Sequence, residues 1–328
     1  MKTINWGILG PGKIAHKFAA ALAGIENARF YAVASRSIDK AKQFANQYGA
    51  QKAFGSYEEM VNDAELDIVY IATPHSLHYE NTLMCLNKGI HVLCEKPFSI
   101  NSKQLNVLVD TARKRKVFLM EGIWTRFLPT IETSMEILKS GQLGKIKVLT
   151  ADFGFRADYN PESRLFNPAL GGGSLLDIGI YPVFLSLLLL GYPDDIKAVA
   201  VRADTGVDYS MAISLNYKDG AVASLNCTFA AHTETGADVY CEKGHIRINP
   251  RWVGPSSLRI YKDNYEPEDK KFSYGLNGYV GEIEEVMRCL DQGLTESPRL
   301  NLDFSLQLMK LLDELRRVCG ISYPMDDH

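Results

Sequence analysis

This sequence of 328 residues lacks several features that mark particular classes of protein. Its six cysteines include no CxxC pair and stand at no metal-ligand spacing with histidine, which argues against a metal site and favours buried thiols in a reducing compartment. The net charge is −3 and no five lysines or arginines are consecutive, so a nucleic-acid partner is not expected. No basic segment precedes the first apolar stretch, so no signal peptide is expected. The sequence therefore predicts a cytoplasmic protein.

Long, clean apolar runs are also missing. The longest, LLDIGIYPVFLSLLLLG, contains Asp177 and Pro182 and falls short of the roughly 20 apolar residues that a membrane span needs. A buried aspartate costs free energy unless it is paired, and a proline inside a helix removes a hydrogen bond. Residues that conflict with burial or with helix formation in this way occur mostly at strained or functional sites. This segment is therefore a candidate site rather than a membrane anchor.

The remaining composition is that of an ordinary globular protein, with 46% hydrophobic and 23% charged residues, and the length suggests two domains. Residues 1–122 alternate between strand-like and helix-like segments, which predicts a parallel sheet covered by helices. The predicted strands cover residues 4–10, 29–35, 53–55, 67–73, 90–95 and 117–122. The predicted helices between them cover residues 13–25, 38–49, 56–63, 76–89 and 101–115.

The pattern changes in residues 123–328. A helical segment leads to a strand, then to the apolar segment above, and then to six consecutive strands between residues 196 and 262. Asp219-Gly220 stands between two alternating runs and predicts a hairpin; Lys243-Gly244 is a weaker hairpin signal. Two helical segments follow. The sequence thus predicts a second, α+β domain with a large, mostly antiparallel open sheet.

A glycine-rich turn ends the first predicted strand and opens the first predicted helix. Gly10, Gly12 and Ala15 fit the dinucleotide-binding pattern G-x-G-x-x-G/A, in which backbone N–H groups at a helix N-terminus approach a pyrophosphate. Lys13 and Ile14 belong to the same turn and are expected to contact the cofactor. The alternative is a tight turn without a ligand, but the strand-turn-helix context favours nucleotide binding.

The second predicted strand ends at the position that separates NAD(H) from NADP(H). An NAD enzyme places Asp or Glu there for the ribose 2′-hydroxyl, whereas this chain has Ser35 followed by Arg36. A hydroxyl and a guanidinium suit a 2′-phosphate, which favours NADP(H) over NAD(H). The alternative is that Arg36 is simply solvated.

Two further strand ends carry polar residues. Glu95-Lys96-Pro97 follows one predicted parallel strand and Thr73-Pro74-His75 ends another. Ligands of such sheets bind outside the carboxyl ends of the strands, so we expect Thr73, Pro74, His75 and Glu95 near the cofactor and Lys96 at the reacting atoms. Taken alone, Glu95 and Lys96 also fit a surface ion pair.

Three segments together are highly specific. GILGPGKIA, TPHSLHYENTLMCLNKGIHVLCEKP and GGGSLLDIGIYP resemble, over essentially the whole chain, the Gfo/Idh/MocA family of nicotinamide-dependent sugar and polyol oxidoreductases. MEGIWTRFLP and RLFNPALGGG are similar to the branch that contains dimeric dihydrodiol dehydrogenase and NADP-dependent D-xylose dehydrogenase. The resemblance implies an N-terminal Rossmann domain at residues 1–122 and a substrate-binding and dimerisation domain at residues 123–328.

The resemblance also implies catalytic roles. Lys96 matches the family's active-site lysine, which holds the reacting oxygen near the nicotinamide. Many members have D-x-x-x-H where this chain has Asp177 and Tyr181; in the dihydrodiol dehydrogenase branch a tyrosine takes the acid/base part. A free phenol titrates near about 10, and a nearby ammonium favours its phenolate, which supports this exchange of histidine for tyrosine.

Helix geometry is compatible with a shared catalytic role for Asp177 and Tyr181. Residues four apart share a helix face, so Asp177 and Tyr181 are expected to face one cleft, with Asp177 paired through substrate, water or Lys96. Pro182 is expected to mark a kink or a new helical start. The alternative is a capping aspartate and a core tyrosine.

Other candidates follow from the resemblance. His78, Trp124 and Arg126 match family or branch motifs and are predicted cofactor contacts, with helix packing as the alternative for His78 and domain-junction packing for the other two. Phe155 is predicted to contact substrate, together with Phe153 and Arg156, with packing within the sheet as the alternative for the two aromatic residues. His91 opens an apolar strand and is expected to be a core histidine.

These observations predict an NADP(H)-dependent oxidoreductase. It is expected to transfer a hydride to or from a carbinol carbon of a sugar, polyol or cyclic diol, with the corresponding carbonyl as the other substrate. The family resemblance also implies a homodimer or a higher homo-oligomer. The alternative is a non-catalytic NADPH sensor that binds a partner protein, although such a sensor needs neither Lys96 nor Tyr181.

Overall fold

The computed structural model describes residues 2–327, which form nine α-helices and fourteen strands. The helices are α1 Lys13–Leu22, α2 Ile38–Tyr48, α3 Tyr57–Val61, α4 His78–Asn87, α5 Ser102–Arg115, α6 Pro129–Lys139, α7 Ile180–Leu190, α8 Val280–Asp291 and α9 Leu302–Cys319. The strands are β1 Ile4–Leu9, β2 Ala28–Ala34, β3 Lys52–Phe54, β4 Ile68–Ile71, β5 His91–Glu95, β6 Leu119–Gly122, β7 Ile146–Gly154, β8 Asp195–Arg202, β9 Asp208–Asn216, β10 Val222–Thr228, β11 Ala237–Cys241, β12 Gly244–Ile248, β13 Leu258–Lys262 and β14 Glu268–Lys270.

The chain divides into two compact units. The first contains the residues up to Arg126 together with Gly275–Leu306, and the second contains Phe127–Tyr274 together with the chain from Gln307 onward. A single boundary after residue 122 therefore does not describe this division, because residues 275–306 return to the first unit. Several contacts join these residues to the first unit; one is that of Tyr279, just before α8, whose ring meets Phe18 of α1 edge-on with the centroids 6.3 Å apart.

The first unit is built on a six-stranded parallel sheet in the order β3-β2-β1-β4-β5-β6. All six strands expected from the apolar runs are present. Every residue of β4 is buried, as is all of β5 after His91 and all of β1 after Asn5. Helix α3 is capped by Ser56, whose Oγ accepts a hydrogen bond from Glu59 N at 3.2 Å. The predicted doubly wound parallel sheet is confirmed.

The second unit is built on an eight-stranded sheet in the order β14-β13-β12-β11-β7-β10-β9-β8. Its pairs are antiparallel except β7 with β10, which are parallel. The Asp219-Gly220 hairpin joins β9 to β10 and the Lys243-Gly244 hairpin joins β11 to β12. The mostly antiparallel open sheet is thus confirmed, and β14 is an additional strand that the sequence did not indicate.

One face of this sheet is buried and the other is exposed. Along β9 and β10 the side chains alternate largely between buried and exposed positions. On the edge strand β8, Val199 and Val201 are 71% and 62% exposed. An antiparallel sheet with one covered face has this pattern, and here the exposed face carries aliphatic side chains.

The long apolar segment lies inside the second unit. Residues Pro168–Leu190 are long and apolar enough to cross a membrane by length and composition, but 83% of their most apolar window is buried within the protein. This is the behaviour of a core helix, which agrees with the interpretation of the sequence.

Candidate active site

The glycine-rich turn has the conformation that phosphate binding requires. Gly10 has a positive φ of 85°, and a Cβ there would approach Ala72 O to 3.1 Å, so only glycine fits without strain. A Cβ on Gly12 would have its nearest neighbour 3.9 Å away, so the space beside this residue is open. Helix α1 begins directly afterwards with no side-chain cap and no acidic residue in its first turn. Its N-terminal N–H groups, including those near Lys13 and Ile14, are therefore available to an anion.

The end of β2 carries the predicted 2′-phosphate residues. Ser35 is buried, and its Oγ accepts a hydrogen bond from Ser37 N at 3.2 Å. Arg36 is exposed. Burial of Tyr57 raises the pKa of its hydroxyl, and the positive charge of Arg36 partly opposes this shift. A hydroxyl and a guanidinium therefore stand at the end of the strand that follows the glycine turn.

The carboxyl ends of β4 and β5 bring the next predicted residues together. Thr73 lies beyond β4, where its Oγ1 accepts a hydrogen bond from Asn81 Nδ2 at 3.1 Å, and Pro74 and His75 follow, half-exposed. Lys96 directly follows β5, is half-exposed, and is joined to Pro97 by a cis peptide bond. Because β4 and β5 are neighbours in a parallel sheet, these residues meet at one edge.

A buried acidic cluster lies behind this edge. The hydroxyl of Tyr70 in β4 donates a hydrogen bond to Glu95 Oε1, and the Tyr70 ring stacks on Phe18 with the centroids 3.6 Å apart. Glu282 in α8 is wholly buried, and neither of its carboxylate oxygens has a hydrogen-bond partner among residues 2–327. Burial, strengthened by the charge of Glu95, raises the pKa of Glu282 well above its ordinary value. Burial and the neighbouring Glu95 therefore favour the protonated form of Glu282 more than that of an exposed glutamate.

Glu121 in β6 is the third member of this cluster. It is wholly buried, and its Oε1 accepts a hydrogen bond from Phe98 N at 3.2 Å. Burial raises its pKa to about 7, although the charge of Lys96 partly opposes this. Neither Glu121 nor Glu282 was recognised from the sequence, since an acidic residue in an apolar segment shows no sign there of whether it is buried.

Glu121 predicts a pH-dependent stability. Its pKa in the folded protein, about 7, exceeds the ordinary value of 4.5, so the stability that its protonation contributes is complete below about 4.5 and is lost as the pH rises through about 7. Glu121→Gln removes this dependence. We expect the free energy of unfolding to fall between pH 5 and pH 8 by about 3 kcal/mol more in the wild type than in the variant, as measured by urea titration. The exposed Glu80→Gln is the matched control; equal pH slopes for wild type and Glu121→Gln would contradict the prediction.

The motif residues at the end of β6 pack within the first unit. Trp124 stacks on Tyr279 with ring centroids 4.8 Å apart. Arg126 is buried, and its Nε donates a hydrogen bond to Arg299 O at 2.8 Å. Their predicted cofactor contacts stay predictions. His91, expected to be a core histidine, is half-buried, and its Nδ1 accepts a hydrogen bond from Phe118 N at 3.0 Å.

In the second unit the segment with Asp177 and Tyr181 is wound unusually. Residues Leu175–Gly179 form a turn of π-helix, and the α-helix α7 starts at Ile180. Gly179 and Ile180 both have right-handed helical φ and ψ, so the helix continues through the π-helical turn into α7. Pro182 therefore follows a change of helix type and does not lie at the new helical start that was one expectation from the sequence. Single π-helical turns are rare and occur frequently at functional sites.

This wide turn is held in place from two sides. Asp208 is wholly buried, and its Oδ2 accepts hydrogen bonds from Ser174 Oγ at 2.7 Å and Leu175 N at 2.5 Å. Gly179 packs so closely that a Cβ there would lie 2.7 Å from Cys227 Sγ. The π-helical turn is therefore fixed by packing and capping rather than left free to rewind.

Asp177 and Tyr181 are both buried. Arg164 Nη1 donates a hydrogen bond to Asp177 Oδ1 at 2.9 Å, so an arginine partner exists that the sequence did not indicate. The Tyr181 ring lies 5.8 Å from that of Phe153, and Phe155, which follows β7, packs on Phe229 at 5.2 Å. Arg156 is exposed. Phe153 therefore packs beside Tyr181, and the predicted substrate contacts of Phe153, Phe155 and Arg156 stay predictions.

No disulfide joins the cysteines within the described part of the chain. The six cysteines are free thiols, of which four are buried and two half-buried. Within residues 2–327, no group of three or more His, Cys, Asp and Glu side chains is arranged to hold a metal ion.

Comparison with known proteins assigns both parts of the chain. Residues 4–123 match the model of the Gfo/Idh/MocA oxidoreductase family, NAD-binding Rossmann fold, and residues 131–247 match that of the family's C-terminal domain. The chain is 37% identical to trans-1,2-dihydrobenzene-1,2-diol dehydrogenase of Mus musculus, a match that covers 98% of this chain and 99% of that protein. It is 36% identical to the Homo sapiens enzyme, with 98% and 99% covered.

Solved structures agree with this assignment. The aldose-aldose oxidoreductase of Caulobacter crescentus matches with a TM-score of 0.89 and 25% identity, covering 97% of this chain and 98% of that one. The 3-ketoreductase KijD10 of Actinomadura kijaniata, in complex with NADP and TDP-benzene, matches with a TM-score of 0.86 and 26% identity at the same coverage. The glycine turn, the lysine after β5 and the match over both domains lead to one conclusion: the chain belongs to the Gfo/Idh/MocA family of NAD(P)-dependent oxidoreductases.

Proposed function

We propose that this enzyme transfers a hydride between NADP(H) and a carbinol carbon of a sugar, polyol or cyclic diol. The observation that carries the proposal is made at the carboxyl edge of the parallel sheet in the first unit. The glycine turn leads from β1 into α1, which has no side-chain cap, and Lys96 follows β5 at the same edge of the sheet. Relatives that are 36–37% identical over nearly their full length are dihydrodiol dehydrogenases, which supports a secondary alcohol or diol as substrate.

The glycine turn fits the diphosphate of such a cofactor. Gly10 adopts the conformation that glycine alone tolerates, Gly12 leaves the approach open, and the first N–H groups of α1 are uncapped. The bound cofactor supplies the hydride or accepts it. The chain orients it by these N–H groups and, we propose, by Thr73, Pro74 and His75 at the next strand end.

Arg36 is proposed to select NADP(H) through its 2′-phosphate. Replacing it by alanine removes a guanidinium that pairs with a phosphate but has no partner on a ribose hydroxyl. We expect Arg36→Ala to weaken NADPH binding about tenfold or more and NADH binding less than twofold, as measured by fluorescence titration. Arg29→Ala, an exposed arginine at the start of the same strand, is the matched control. An equal loss for both cofactors would remove the assignment to NADP(H).

We assign the chemistry at the substrate oxygen to three side chains. Lys96 positions and polarises the oxygen, Tyr181 gives or takes the hydroxyl proton, and Asp177 orients the pair. The contact between Arg164 and Asp177 supports a charged, oriented Asp177, because a buried carboxylate needs a hydrogen-bonded cation. In the oxidation direction Tyr181 would take the hydroxyl proton of the alcohol, and a bound cofactor would accept the hydride from the carbinol carbon.

A substrate screen tests the function. Aldoses, inositols, dicarbonyls and aromatic diols are offered to the purified protein with NADP⁺ and with NADPH, and the nicotinamide absorbance is followed. Turnover with any carbinol or carbonyl compound supports the proposal. NADPH binding without turnover across the whole panel would instead favour a non-catalytic sensor.

A homodimer or higher homo-oligomer in the cytoplasm completes the proposal. The sheet face that carries Val199 and Val201 is exposed and partly aliphatic, and the pairing of two such faces would remove this apolar surface from water. The reduced state of all six thiols agrees with a cytoplasmic location. Sedimentation equilibrium of the intact chain measures the assembly, and a monomer at micromolar concentration would contradict it.

A further inference from the structure

His78, the first residue of α4, joins two loops that carry the proposed chemistry. Its ring is wholly buried, with Nδ1 2.7 Å from Pro97 O and Nε2 2.9 Å from Thr73 O. Thr73 follows β4, whereas Pro97 is bonded to Lys96 after β5. One imidazole therefore bridges the ends of two neighbouring strands, immediately beside the proposed catalytic lysine.

The number of protons on the ring determines which contact is a hydrogen bond. Both neighbours are carbonyl oxygens, which only accept, and a neutral imidazole has one N–H to donate. Burial, together with the charge of Lys96, lowers the pKa of His78 to about 4, so the ring is neutral at neutral pH. The shorter contact is that of Nδ1 with Pro97 O, so we place the proton on Nδ1. The second contact, to Thr73 O, is then made by a nitrogen without a proton.

The second loop has its own tie to α4. Asn81, one turn further along the helix, donates through Nδ2 to Thr73 Oγ1 at 3.1 Å. The Thr73 loop is thus held even without a proton on His78 Nε2. The Pro97 carbonyl, in contrast, has His78 Nδ1 as its partner from α4.

We propose that His78 is a positioning residue for Lys96, acting through an Nδ1–H hydrogen bond to the carbonyl of Pro97. This differs from the predicted cofactor contact, because a ring with no exposed surface reaches a ligand only through the backbone it holds. The inference rests on the proposed role of Lys96. Loss of the bond lets the peptide after Lys96 shift, and small misplacements of a catalytic group cost up to about a hundredfold in rate.

Two substitutions of His78 distinguish the contribution of Nδ1 from that of Nε2. The amide nitrogen of asparagine stands the same number of bonds from Cβ as His78 Nδ1, and that of glutamine the same number as Nε2. We expect His78→Asn to keep kcat within about threefold of the wild type and His78→Gln to lose about ten- to a hundredfold, with the Kd for NADPH changed less than about threefold in both. Thermal midpoints of the two variants are compared in parallel.

Three results would overturn the proposal. Equal losses of kcat in both variants, in proportion to their loss of thermal stability, would show a merely structural role. A Kd for NADPH that weakens more than kcat falls would make His78 a cofactor residue. Nitrogen-15 NMR of the wild-type ring that finds the proton on Nε2 and not on Nδ1 would remove the bond itself.

A measurement that needs no substrate tests the positioning role of His78 independently of the proposed function. After reductive methylation with carbon-13, the Lys96 resonance, assigned with Lys96→Arg, reports the surroundings of the amine directly. We expect it to move in His78→Gln and to stay near its wild-type position in His78→Asn. This holds even if no compound of the substrate panel is turned over; an unmoved resonance in His78→Gln would contradict the positioning role.

Discussion

Lys96→Met is expected to abolish turnover while NADPH binding is retained. Methionine keeps much of the length and apolar volume of the lysine stem but has no ammonium to polarise the substrate oxygen. The glycine turn and α1, which are proposed to hold the diphosphate, belong to other strand ends and are untouched. We expect kcat to fall by about a hundredfold to ten-thousandfold, the range for loss of a group that acts on the proton or oxygen in the transition state.

Steady-state kinetics with the best substrate of the panel and fluorescence titration of NADPH give the two quantities. Lys103→Met is the matched control, because Lys103 is an exposed lysine in α5 only seven positions further along the chain. A Lys96→Met enzyme with near-normal kcat would exclude Lys96 from the chemistry, whereas a lost NADPH affinity would indicate a role in cofactor binding.

Tyr181→Phe is expected to produce a loss of similar size for a different reason. The substitution removes one hydroxyl and leaves a ring that still packs beside Phe153. If that hydroxyl gives or takes the substrate proton, kcat falls by about a hundredfold to ten-thousandfold and the pH dependence of kcat flattens, since the titrating acid is gone. Thermal stability is expected to change little.

The control for this variant is Tyr209→Phe. Tyr209 also belongs to the second unit, and its ring contact with Phe166, at 5.6 Å, does not depend on its hydroxyl. A Tyr181→Phe enzyme that keeps its rate and its pH profile would show that another group carries the proton. The proposed acid/base assignment would then move away from α7.

The features that were predictable from the sequence are those encoded by neighbouring residues. Gly10, Gly12 and the start of α1 lie within a few positions of each other, so their spacing predicts a phosphate-binding turn, and the structure has the required backbone there. The Asp219-Gly220 hairpin and the cap at Ser56 are local in the same sense. In each case the physical cause is a backbone preference or a hydrogen bond over a few residues.

The features that were missed depend on packing between distant segments. Arg164 reaches Asp177 across an irregular stretch without a repeating pattern, so no periodicity indicates the pair. Glu282 looks like any acidic residue near a helix start, where it is normally solvated, and only the packing of α8 makes it a buried acid. The π-helical turn at Leu175–Gly179 is likewise not predictable from propensity, because capping by Asp208 and the close contact at Gly179 hold it.

The return of residues 275–306 to the first unit governs the order of events during synthesis. Asn277 Nδ2 donates a hydrogen bond to Lys17 O at 3.0 Å, and Leu119 N donates one to Thr295 O at 3.1 Å. Residues near both ends of the segment 1–122 therefore bind residues that are synthesised more than 150 positions later. A nascent chain generally folds N-terminal domains first. Here the nucleotide-binding half is completed only after residues 275–306 have been made, so a fragment ending at residue 122 would lack the Tyr279 ring that packs against the buried Phe18.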